Sequence, residues 1–268
     1  MTEHTFDLVV LGAGSGGYAA ALRASQLGMS VGLIEKDKVG GTCLHVGCIP
    51  TKALLHAAEV ADSARHSEMF GVNATLEGID LPAVNTYRDG IVASKHKGLQ
   101  GLIKARGITT IEGTGKLISP TTIAVGEDTV VGKNVILATG SYPRSLPGLD
   151  IGGRIITSEQ ALTLDWIPSK VIVLGGGVIG VEFASVWRSF GAEVTIVEGL
   201  PRLVPAEDES ISKQFERAYR KRGINFHTGV RFQSATQDDT SVTVTLEDGT
   251  TETADLLLVA VGRGPKTD

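Results

Sequence analysis

The sequence contains two copies of a glycine-rich unit whose glycines and closing glutamate have identical spacing. An apolar run, at residues 6–11 in one copy and 170–174 in the other, precedes the first glycine of each copy. Counted from that first glycine, further glycines follow at offsets 2, 5 and 16, and a glutamate follows at offset 23. The positions are Gly12, Gly14, Gly17, Gly28 and Glu35 in one copy, and Gly175, Gly177, Gly180, Gly191 and Glu198 in the other. One G-x-G-x-x-G run is weak evidence, but two with the same offsets between strand and helix patterns predict a duplicated nucleotide-binding unit.

The spacing has a chemical reason. The first glycine permits a tight turn, the second lets a pyrophosphate approach the backbone, and the third lets helix and strand pack closely. The helices, predicted over residues 18–27 and 181–190, present free N–H groups and a positive dipole end to the phosphates. Glu35 and Glu198 are expected to accept hydrogen bonds from adenosine ribose hydroxyls.

The residues after Glu198 favour NAD over NADP in the second unit. They are Gly199, Leu200 and Pro201, and none of them is basic. Arg202, four residues after the glutamate, is the one nearby cation that could meet a 2′-phosphate.

The predicted fold class is α/β, with two Rossmann-like dinucleotide-binding domains that each combine a parallel sheet with a β-meander. We assign residues 1–147 to the first domain and 148–268 to the second. The stretch 145–150 is the linker, because it contains Pro and Gly between apolar segments.

Other segments show weaker patterns. Residues 52–67 and 82–106 have helical apolar spacing, residues 109–131 alternate between turn signals as in a β-meander, and residues 134–138 resemble another buried strand. Residues 208–222 predict an amphipathic helix whose apolar side carries Ile211, Phe215 and Ala218.

Composition narrows the class of protein. Hydrophobic residues make up 42% and charged residues 21%, as in soluble globular proteins. A net charge of −5 argues against a nucleic-acid or anionic-membrane surface, which needs a basic face. The polar N-terminus does not resemble a signal peptide, and the apolar runs are too short for a membrane span. We expect a cytoplasmic protein, in which a lasting disulfide is usually catalytic.

The only two cysteines, Cys43 and Cys48, lie five residues apart in a run that begins five residues after Glu35. In a regular helix such residues have Cα atoms ~8–9 Å apart, beyond the ~7 Å limit for a disulfide. A bond between them therefore needs a distorted turn, for which Gly40, Gly41 and Gly47 supply backbone freedom. A dithiol beside a dinucleotide site predicts redox chemistry.

Two alternatives to a redox dithiol are inert core cysteines and half of a metal site. Metal-binding pairs usually have two to four intervening residues and a second Cys or His pair, so we expect no metal here. The histidines are scattered along the chain; His45 is expected to face solvent, and residues 95–97 to form a solvated face.

The run GTCLHVGCIPTK at residues 41–52 resembles the redox motif of the pyridine nucleotide–disulfide oxidoreductases. The resemblance covers the whole chain, including residues 138–141 and 261–265, and is strongest to members that oxidise dihydrolipoyl groups. The family more often has Asn at position 45 and Ser at position 51, and neither change removes a redox group.

This resemblance implies FAD in the first unit and NAD in the second. It implies that Lys52 lies against the flavin and pairs with Glu182, although an ordinary ion pair between helices is the alternative. Implied backbone contacts to FAD come from Gly115, Thr139, Gly140 and Ser141. Implied contacts to NAD come from Val178, Ile179, Val230 and Gly262, with Val178 beside the nicotinamide.

The implied reaction starts with attack of a dihydrolipoyl dithiol on the disulfide at Cys43. Cys48 then passes two electrons to FAD, which reduces NAD⁺. The implied partner is the lipoyl domain of a 2-oxoacid dehydrogenase acyltransferase or a glycine-cleavage carrier, and full-length members are homodimers.

Family members continue past the position of Asp268 with a second flavin-binding segment and a dimerisation domain. We therefore expect residues 1–268 alone to show little lipoamide turnover and weak FAD retention. Two other readings stay open: a mercuric or glutathione-type reductase of the same family, and a non-catalytic dinucleotide-binding fragment.

Overall fold

The structure, a computed structural model, describes residues 2–267. The chain forms two compact units. The first contains the residues up to Pro50, Asp89–Tyr142 and the residues from Pro265 onward, and the second contains Thr51–Arg88 and Pro143–Gly264.

The first unit is built on a six-stranded sheet with strand order β3-β2-β1-β6-β5-β4. The strands are β1 (Glu3–Leu11), β2 (Val31–Glu35), β3 (Thr109–Glu112), β4 (Gly115–Ser119), β5 (Thr122–Val125) and β6 (Asp128–Leu137). β1 pairs in parallel with β2 and β6, and β2 pairs in parallel with β3, whereas β4, β5 and β6 are antiparallel. Apolar residues of the central strands are buried because helices α1 (Ser15–Gln26) and α4 (Leu81–Ala105) contribute to the same core.

Two strand predictions in this unit need correction. Thr109 does not begin the meander, because β3 joins the parallel part of the sheet and only β4–β6 form the meander. Residues 134–138 are not a separate buried strand, because β6 continues through them, paired with β1 as far as Leu137. The side chains of Ile136 and Leu137 are 38% and 57% exposed, so their apolar character did not ensure burial.

The second unit contains a five-stranded parallel sheet with strand order β11-β10-β9-β15-β8, and a three-stranded antiparallel sheet with order β12-β13-β14. The parallel strands are β8 (Ile155–Thr157), β9 (Lys170–Leu174), β10 (Glu193–Glu198), β11 (Asn225–Thr228) and β15 (Leu256–Val259). The antiparallel strands are β12 (Phe232–Gln237), β13 (Val242–Leu246) and β14 (Thr251–Ala254). Buried residues of both sheets, including Ile172, Leu174, Val242 and Leu246, form one core.

The remaining elements are mostly helical. They are α2 (Gly41–His45), α3 (Cys48–Arg65), α5 (Ser158–Ala161), α6 (Val178–Phe190), α7 (Glu209–Lys221) and a 3-10 turn at Ser67–Phe70. The short strands β7 (Ser141–Pro143) and β16 (Arg263–Pro265) pair with each other. Most of α3 and the start of α4 pack within the second unit, although residues 1–147 were assigned to the first domain. The functional boundary near residue 147 remains a prediction.

The buried side of α7 differs from the predicted one. Ser212 and Tyr219 are buried, whereas Ile211 is 49% exposed and Ala218 is exposed. The phenol of Tyr219 donates a hydrogen bond of 2.8 Å to the carbonyl of Val181, and burial raises the pKa of this phenol to about 12. A large aromatic side chain with a satisfied hydroxyl thus determines which side of the helix faces inward.

Within residues 2–267, no helix combines the length and the apolar character that crossing a bilayer requires. The cytoplasmic location expected from the sequence remains a prediction.

Candidate functional site

The first glycine-rich loop has the close packing that its spacing predicts. Gly12 has φ +99°, and a Cβ on it would overlap the carbonyl oxygen of Ala138, which follows β6. A Cβ on Gly17 would overlap the carbonyl oxygen of Gly12. Only glycine fits at these two positions, because both clashes involve backbone atoms that cannot rotate away.

The second loop repeats this geometry at the equivalent atoms. A Cβ on Gly175, at φ +111°, would overlap the carbonyl oxygen of Ala260, which follows β15, and a Cβ on Gly180 would overlap the carbonyl oxygen of Gly175. The first glycine of each loop donates a hydrogen bond of 2.8 Å to the strand beyond, Gly12 to Ile34 and Gly175 to Val197. The duplication seen in the sequence is therefore a duplication of structure.

Both helices begin three residues earlier than predicted, at Ser15 and Val178. The second glycine of each loop, Gly14 or Gly177, is the N-cap with extended backbone, so the third glycine lies in the first helical turn. The glycines at offset 16 end the helices as predicted: Gly28 has φ +83° and Gly191 has φ +107°.

The helix N-termini fit a bound phosphate. Among the described residues, neither α1 nor α6 has a side-chain hydrogen bond to its N-cap or an acidic residue in its first turn. No atom lies within 4 Å of the Cβ position of Gly177, and at Gly14 only the Cα of Gly41 comes as near as 4.0 Å. Free N–H groups and open space at a positive helix end suit a pyrophosphate.

The closing glutamates are held by the loops themselves. Glu35 Oε2 accepts a hydrogen bond of 2.8 Å from Ala13 N, and Glu198 Oε2 accepts one of 2.7 Å from Gly176 N. The second oxygen of each carboxylate accepts from the following turn, at 3.0 Å from Asp37 N in the first unit and 2.8 Å from Leu200 N in the second. Both carboxylates therefore have fixed positions beside the glycine-rich loops.

A cavity lies next to each glutamate. The first, of about 470 Å³, is lined by Glu35, Asp37, Lys38, His96 and Glu112, among others. The second, of about 480 Å³, is lined by Gly175, Gly177, Val178, Ile179, Glu198 and Gly262, among others. Of the residues assigned to NAD, Val230 does not line this cavity but packs against the core, while its neighbours Arg231 and Phe232 do line it.

Three of the residues assigned to FAD lie where the chain leaves β6. Gly140 has φ +83°, and its carbonyl oxygen accepts a hydrogen bond of 3.0 Å from Lys266 N. Thr139 donates its hydroxyl proton to the carbonyl of Lys266, and Ser141 begins β7. Gly115 packs against Leu11, just before the first loop. Their contacts to FAD remain a prediction.

The dithiol segment packs directly on the first loop. Gly40 N donates a hydrogen bond of 2.8 Å to the carbonyl of Ala13, and a Cβ on Gly41 would lie only 2.6 Å from the Cα of Gly14. Gly40 and Gly41 both have positive φ, at +111° and +57°. The chain can therefore turn from the loop into α2, which carries Cys43.

A break between two helices separates the cysteines, as their spacing predicts. α2 ends at His45, and Cys48 begins α3, with Pro50 in its first turn. The structure holds both residues as thiols, with Cys43 half-buried and Cys48 exposed. The disulfide between them remains a prediction, and the helix N-terminus at Cys48 favours negative charge there.

The two histidines near this segment were predicted to face solvent, and the structure shows that they do not. His45 Nε2 lies 2.9 Å from the carbonyl oxygen of Val39, and its ring meets the ring of His96 edge-on, with centroids 4.8 Å apart. His96 Nε2 is buried and has no hydrogen-bond partner among the described residues. Burial, together with the nearby His45 and Lys38, lowers the pKa of His96. The predicted solvated face at residues 95–97 is therefore wrong at its central residue.

Lys52 and Glu182 are paired as predicted. Lys52 Nζ lies 2.6 Å from Glu182 Oε1, and the two side chains are 57% and 28% exposed. Lys52 follows Cys48 by about one turn of α3. A role beyond an ion pair between helices remains a prediction.

One basic residue at the second cavity was missed. Arg202, the cation noted in the sequence, does not line this cavity; its Nη2 donates hydrogen bonds of 3.1 Å to the carbonyls of Pro205 and Glu207. Arg231 does line the cavity, beside Glu198. Arg231 lies 33 residues after that glutamate, so a search of the adjacent sequence could not find it.

Comparison with known proteins agrees with this geometry. Residues 6–268 match the family described as pyridine nucleotide-disulphide oxidoreductase. The chain belongs to this family.

Among curated members, the dihydrolipoyl dehydrogenase of Bacillus subtilis is 42% identical over 277 residues, which cover 96% of this chain and 58% of that protein. The mitochondrial dihydrolipoyl dehydrogenase of Pisum sativum is 43% identical, with 97% and 55% covered. Leghemoglobin reductase of Glycine max is 42% identical, with 97% and 52% covered. The chain thus spans somewhat more than half the length of these relatives.

A solved structure confirms the α/β fold. The HOCl-induced flavoprotein disulfide reductase RclA of Escherichia coli, in its Cu(II) complex, matches with a TM-score of 0.83 at 26% identity. The match covers 98% of this chain and 58% of that one. The family is thus one of pyridine-nucleotide and disulphide oxidoreductases, and this solved relative is a flavoprotein disulfide reductase.

Proposed function

We propose that this chain carries the electron-transfer part of a dihydrolipoyl dehydrogenase, with a Cys43–Cys48 redox couple, FAD in the first unit and NAD in the second. The packing of Gly40 and Gly41 on the first glycine-rich loop is the observation that carries the proposal. It ties the dithiol segment to a dinucleotide site within one unit. The dehydrogenase names of relatives that are about 40% identical support this choice of substrate class.

The thiol chemistry is a balanced exchange. In the oxidised protein the sulfurs of Cys43 and Cys48 are joined. One sulfur of a dihydrolipoyl dithiol attacks Cys43 as a thiolate, a mixed disulfide forms, and Cys48 leaves as a thiolate. The second substrate sulfur then attacks the first, which releases Cys43 and closes the lipoyl disulfide. The substrate loses two electrons and two protons, and the protein gains two electrons as a dithiol.

The break between α2 and α3 suits the two roles of the cysteines, with Cys43 as the attacked sulfur and Cys48 as the leaving thiolate. Cys48 stands at the start of α3, where the positive end of the helix dipole stabilises the departing thiolate. The Lys52 ammonium, one turn later and held by Glu182, adds positive charge on the same helix. The flavin and the nicotinamide, when bound, supply the two-electron chemistry that returns the dithiol to a disulfide.

The residues that would hold each cofactor follow from the loops. For FAD, the N–H groups that begin α1 would bind the pyrophosphate, and Glu35 would accept hydrogen bonds from the ribose. For NAD, the N–H groups that begin α6 and the carboxylate of Glu198 would do the same. A carboxylate that accepts hydrogen bonds from ribose hydroxyls favours the free 2′-hydroxyl of NAD.

The proposed partner is a lipoyl domain, of a 2-oxoacid dehydrogenase acyltransferase or a glycine-cleavage carrier, and the proposed assembly is a homodimer, as in the family. The attacked residue, Cys43, is half-buried, so part of it is open to a lipoyl group carried on a mobile domain.

Stepwise reduction of FAD-loaded protein tests the proposal. We expect dihydrolipoamide to deliver two electrons to the protein, which should appear as two titratable thiols. A long-wavelength absorbance band between a thiolate and the flavin should appear at the same time. Cys48→Ser should abolish that band, and Cys43→Ser should keep it while blocking exchange with the dithiol. The two variants control for each other because each removes one sulfur. Neither variant can form the disulfide, so both should lose dithiol exchange and only the absorbance band distinguishes the two sulfurs; identical spectra in the two variants would contradict the assignment.

A further inference from the structure

Helix α2, which carries the first cysteine of the dithiol, is held at both of its ends. At its start, Gly40 N donates a hydrogen bond of 2.8 Å to the carbonyl of Ala13 in the first glycine-rich loop. At its end, His45 Nε2 lies 2.9 Å from the carbonyl oxygen of Val39. The ring of His45 also meets the ring of His96 edge-on, with centroids 4.8 Å apart. This ring contact links the end of α2 to the distant helix α4.

The observed contact belongs to a neutral His96. A carbonyl oxygen only accepts, so His45 Nε2 carries the proton that is donated to Val39. His96 Nε2 is buried and has no hydrogen-bond partner in the part of the chain that the structure describes. Protonation of His96 would place an N–H group there without an acceptor, and burying an unpaired charged donor is unfavourable.

The charges around His96 do not favour its protonation. The charged groups that share a cavity with it are two lysines and three carboxylates, Lys38, Lys104, Glu35, Asp37 and Glu112. On α4 itself, Lys95 and Lys97 flank the histidine. Burial, and after it the proximity of His45 and Lys38, lowers the pKa of His96. The three carboxylates therefore do not compensate for burial and for the neighbouring cations.

We propose that His96 is a positioning residue for the redox segment, which holds the end of α2 through His45 when it is neutral and releases that end when it is protonated. A released imidazole binds its proton at the ordinary pKa, so opening is favoured as the pH falls below about 6.5. The start of α2 stays attached to the first loop, whereas the turn between Cys43 and Cys48 becomes free to move. The inference rests on the proposed function only for the role of Cys43 as the attacked sulfur.

Hydrogen exchange of the reduced protein, followed by mass spectrometry, measures this opening and needs no added cofactor or substrate. The reporting amide is that of Val46, which donates a hydrogen bond of 2.9 Å to the carbonyl of Thr42. Dividing each exchange rate by the intrinsic rate at the same pH gives the protection of the segment. We expect protection over residues 41–47 to fall by up to about tenfold between pH 7.5 and 5.5, because one pH unit below an unshifted pKa changes proton binding tenfold. Strand β1 should keep its protection.

Two variants separate the roles of the two rings. His96→Phe keeps a ring but cannot take up a proton, so protection of residues 41–47 should be high at both pH values. His45→Asn removes the ring that His96 contacts, so protection should be low at both. His66→Phe is the matched control, because His66 is an exposed histidine of the second unit, and it should show the same fall as wild type. At pH 5.5, iodoacetamide should alkylate Cys43 more slowly in His96→Phe than in wild type, since the closed segment shields the sulfur.

Several outcomes would overturn the inference. They are equal wild-type protection at both pH values, a fall of wild-type size in His96→Phe or His45→Asn, and equal alkylation of Cys43 in His96→Phe and wild type. An equal loss of protection in β1 would also overturn it, because the whole unit would then be unfolding. Opening without exchange between dihydrolipoamide and the cysteines would reject the proposed function, and His96 would still be the residue that holds α2. Exchange without opening would reject this inference alone.

Discussion

Gly180→Ala tests whether the third glycine of the second loop is required by packing. The added methyl would overlap the carbonyl oxygen of Gly175, a backbone atom, and would lie 3.0 Å from Val173 Cγ1. Relief requires α6 to move away from β9, and overpacking of this kind costs up to about 3 kcal/mol. Alanine recovers about 1 kcal/mol in helix propensity. We therefore expect a net loss of about 2 kcal/mol.

That loss corresponds to a fall in melting temperature of about 4–8 °C for a chain of this size. Differential scanning calorimetry measures it directly. Gly177→Ala is the matched control, because no atom lies within 4 Å of its Cβ position. The control should melt within about 2–4 °C of wild type, since Ala is less favourable than Gly at an N-cap by up to about 1 kcal/mol. Its NAD⁺ affinity should nevertheless fall at least tenfold, because the methyl occupies the space that the pyrophosphate would take.

Two results would refute this reasoning. Wild-type melting of Gly180→Ala would show that the loop and helix can separate without cost. Unchanged NAD⁺ binding by Gly177→Ala would show that the phosphate does not approach α6 at this glycine.

Three further predictions concern single side chains. Glu182→Gln should lower the melting temperature by less than about 3 °C, because the ion pair with Lys52 is partly exposed and such pairs contribute under about 1 kcal/mol; a much larger fall would show that the pair is a major structural contact. His96 has a folded pKa below its ordinary value of 6.5, so the unfolded chain binds the proton more tightly, and stability should fall as the pH drops below about 6.5 until the folded pKa is reached. Melting curves between pH 7.5 and 5 should show this fall in wild type and a smaller one in His96→Phe; parallel curves would count against it. Tyr219→Phe removes the hydrogen bond to Val181 and should cost about 1 kcal/mol, measured by urea denaturation, whereas no loss would mean that the hydroxyl contributes nothing.

The duplicated units could be predicted from the sequence because their determinants are local. Glycine spacing, strand-length apolar runs and the closing glutamates each act over fewer than about 30 residues. The starts of α1 and α6 were placed three residues late because glycines usually weaken a helix. Here the third glycine lies in the first turn, where close packing on the loop outweighs its poor propensity.

Features set by distant contacts could not be predicted. β6 runs unbroken along β1, in a pairing between residues more than 100 positions apart, so the chain around Asn134 showed no local sign of continuity. The approach of His96 to His45 likewise depends on how α4 packs in the first unit. Arg231 reaches the cavity because the segment after β11 turns back against Leu200. A sequence pattern predicts a helix or strand more readily than it predicts which distant part of the chain that helix or strand will contact.

The carboxylates of Glu35 and Glu198 are each held at both oxygens by backbone N–H groups. Fixing a glutamate side chain costs up to about 2 kcal/mol of rotamer entropy. In this protein the side chain is already fixed on folding, so ligand binding does not incur that cost again. A ribose arriving at either pocket would find its acceptor oriented, with no freezing of loose rotamers on each encounter.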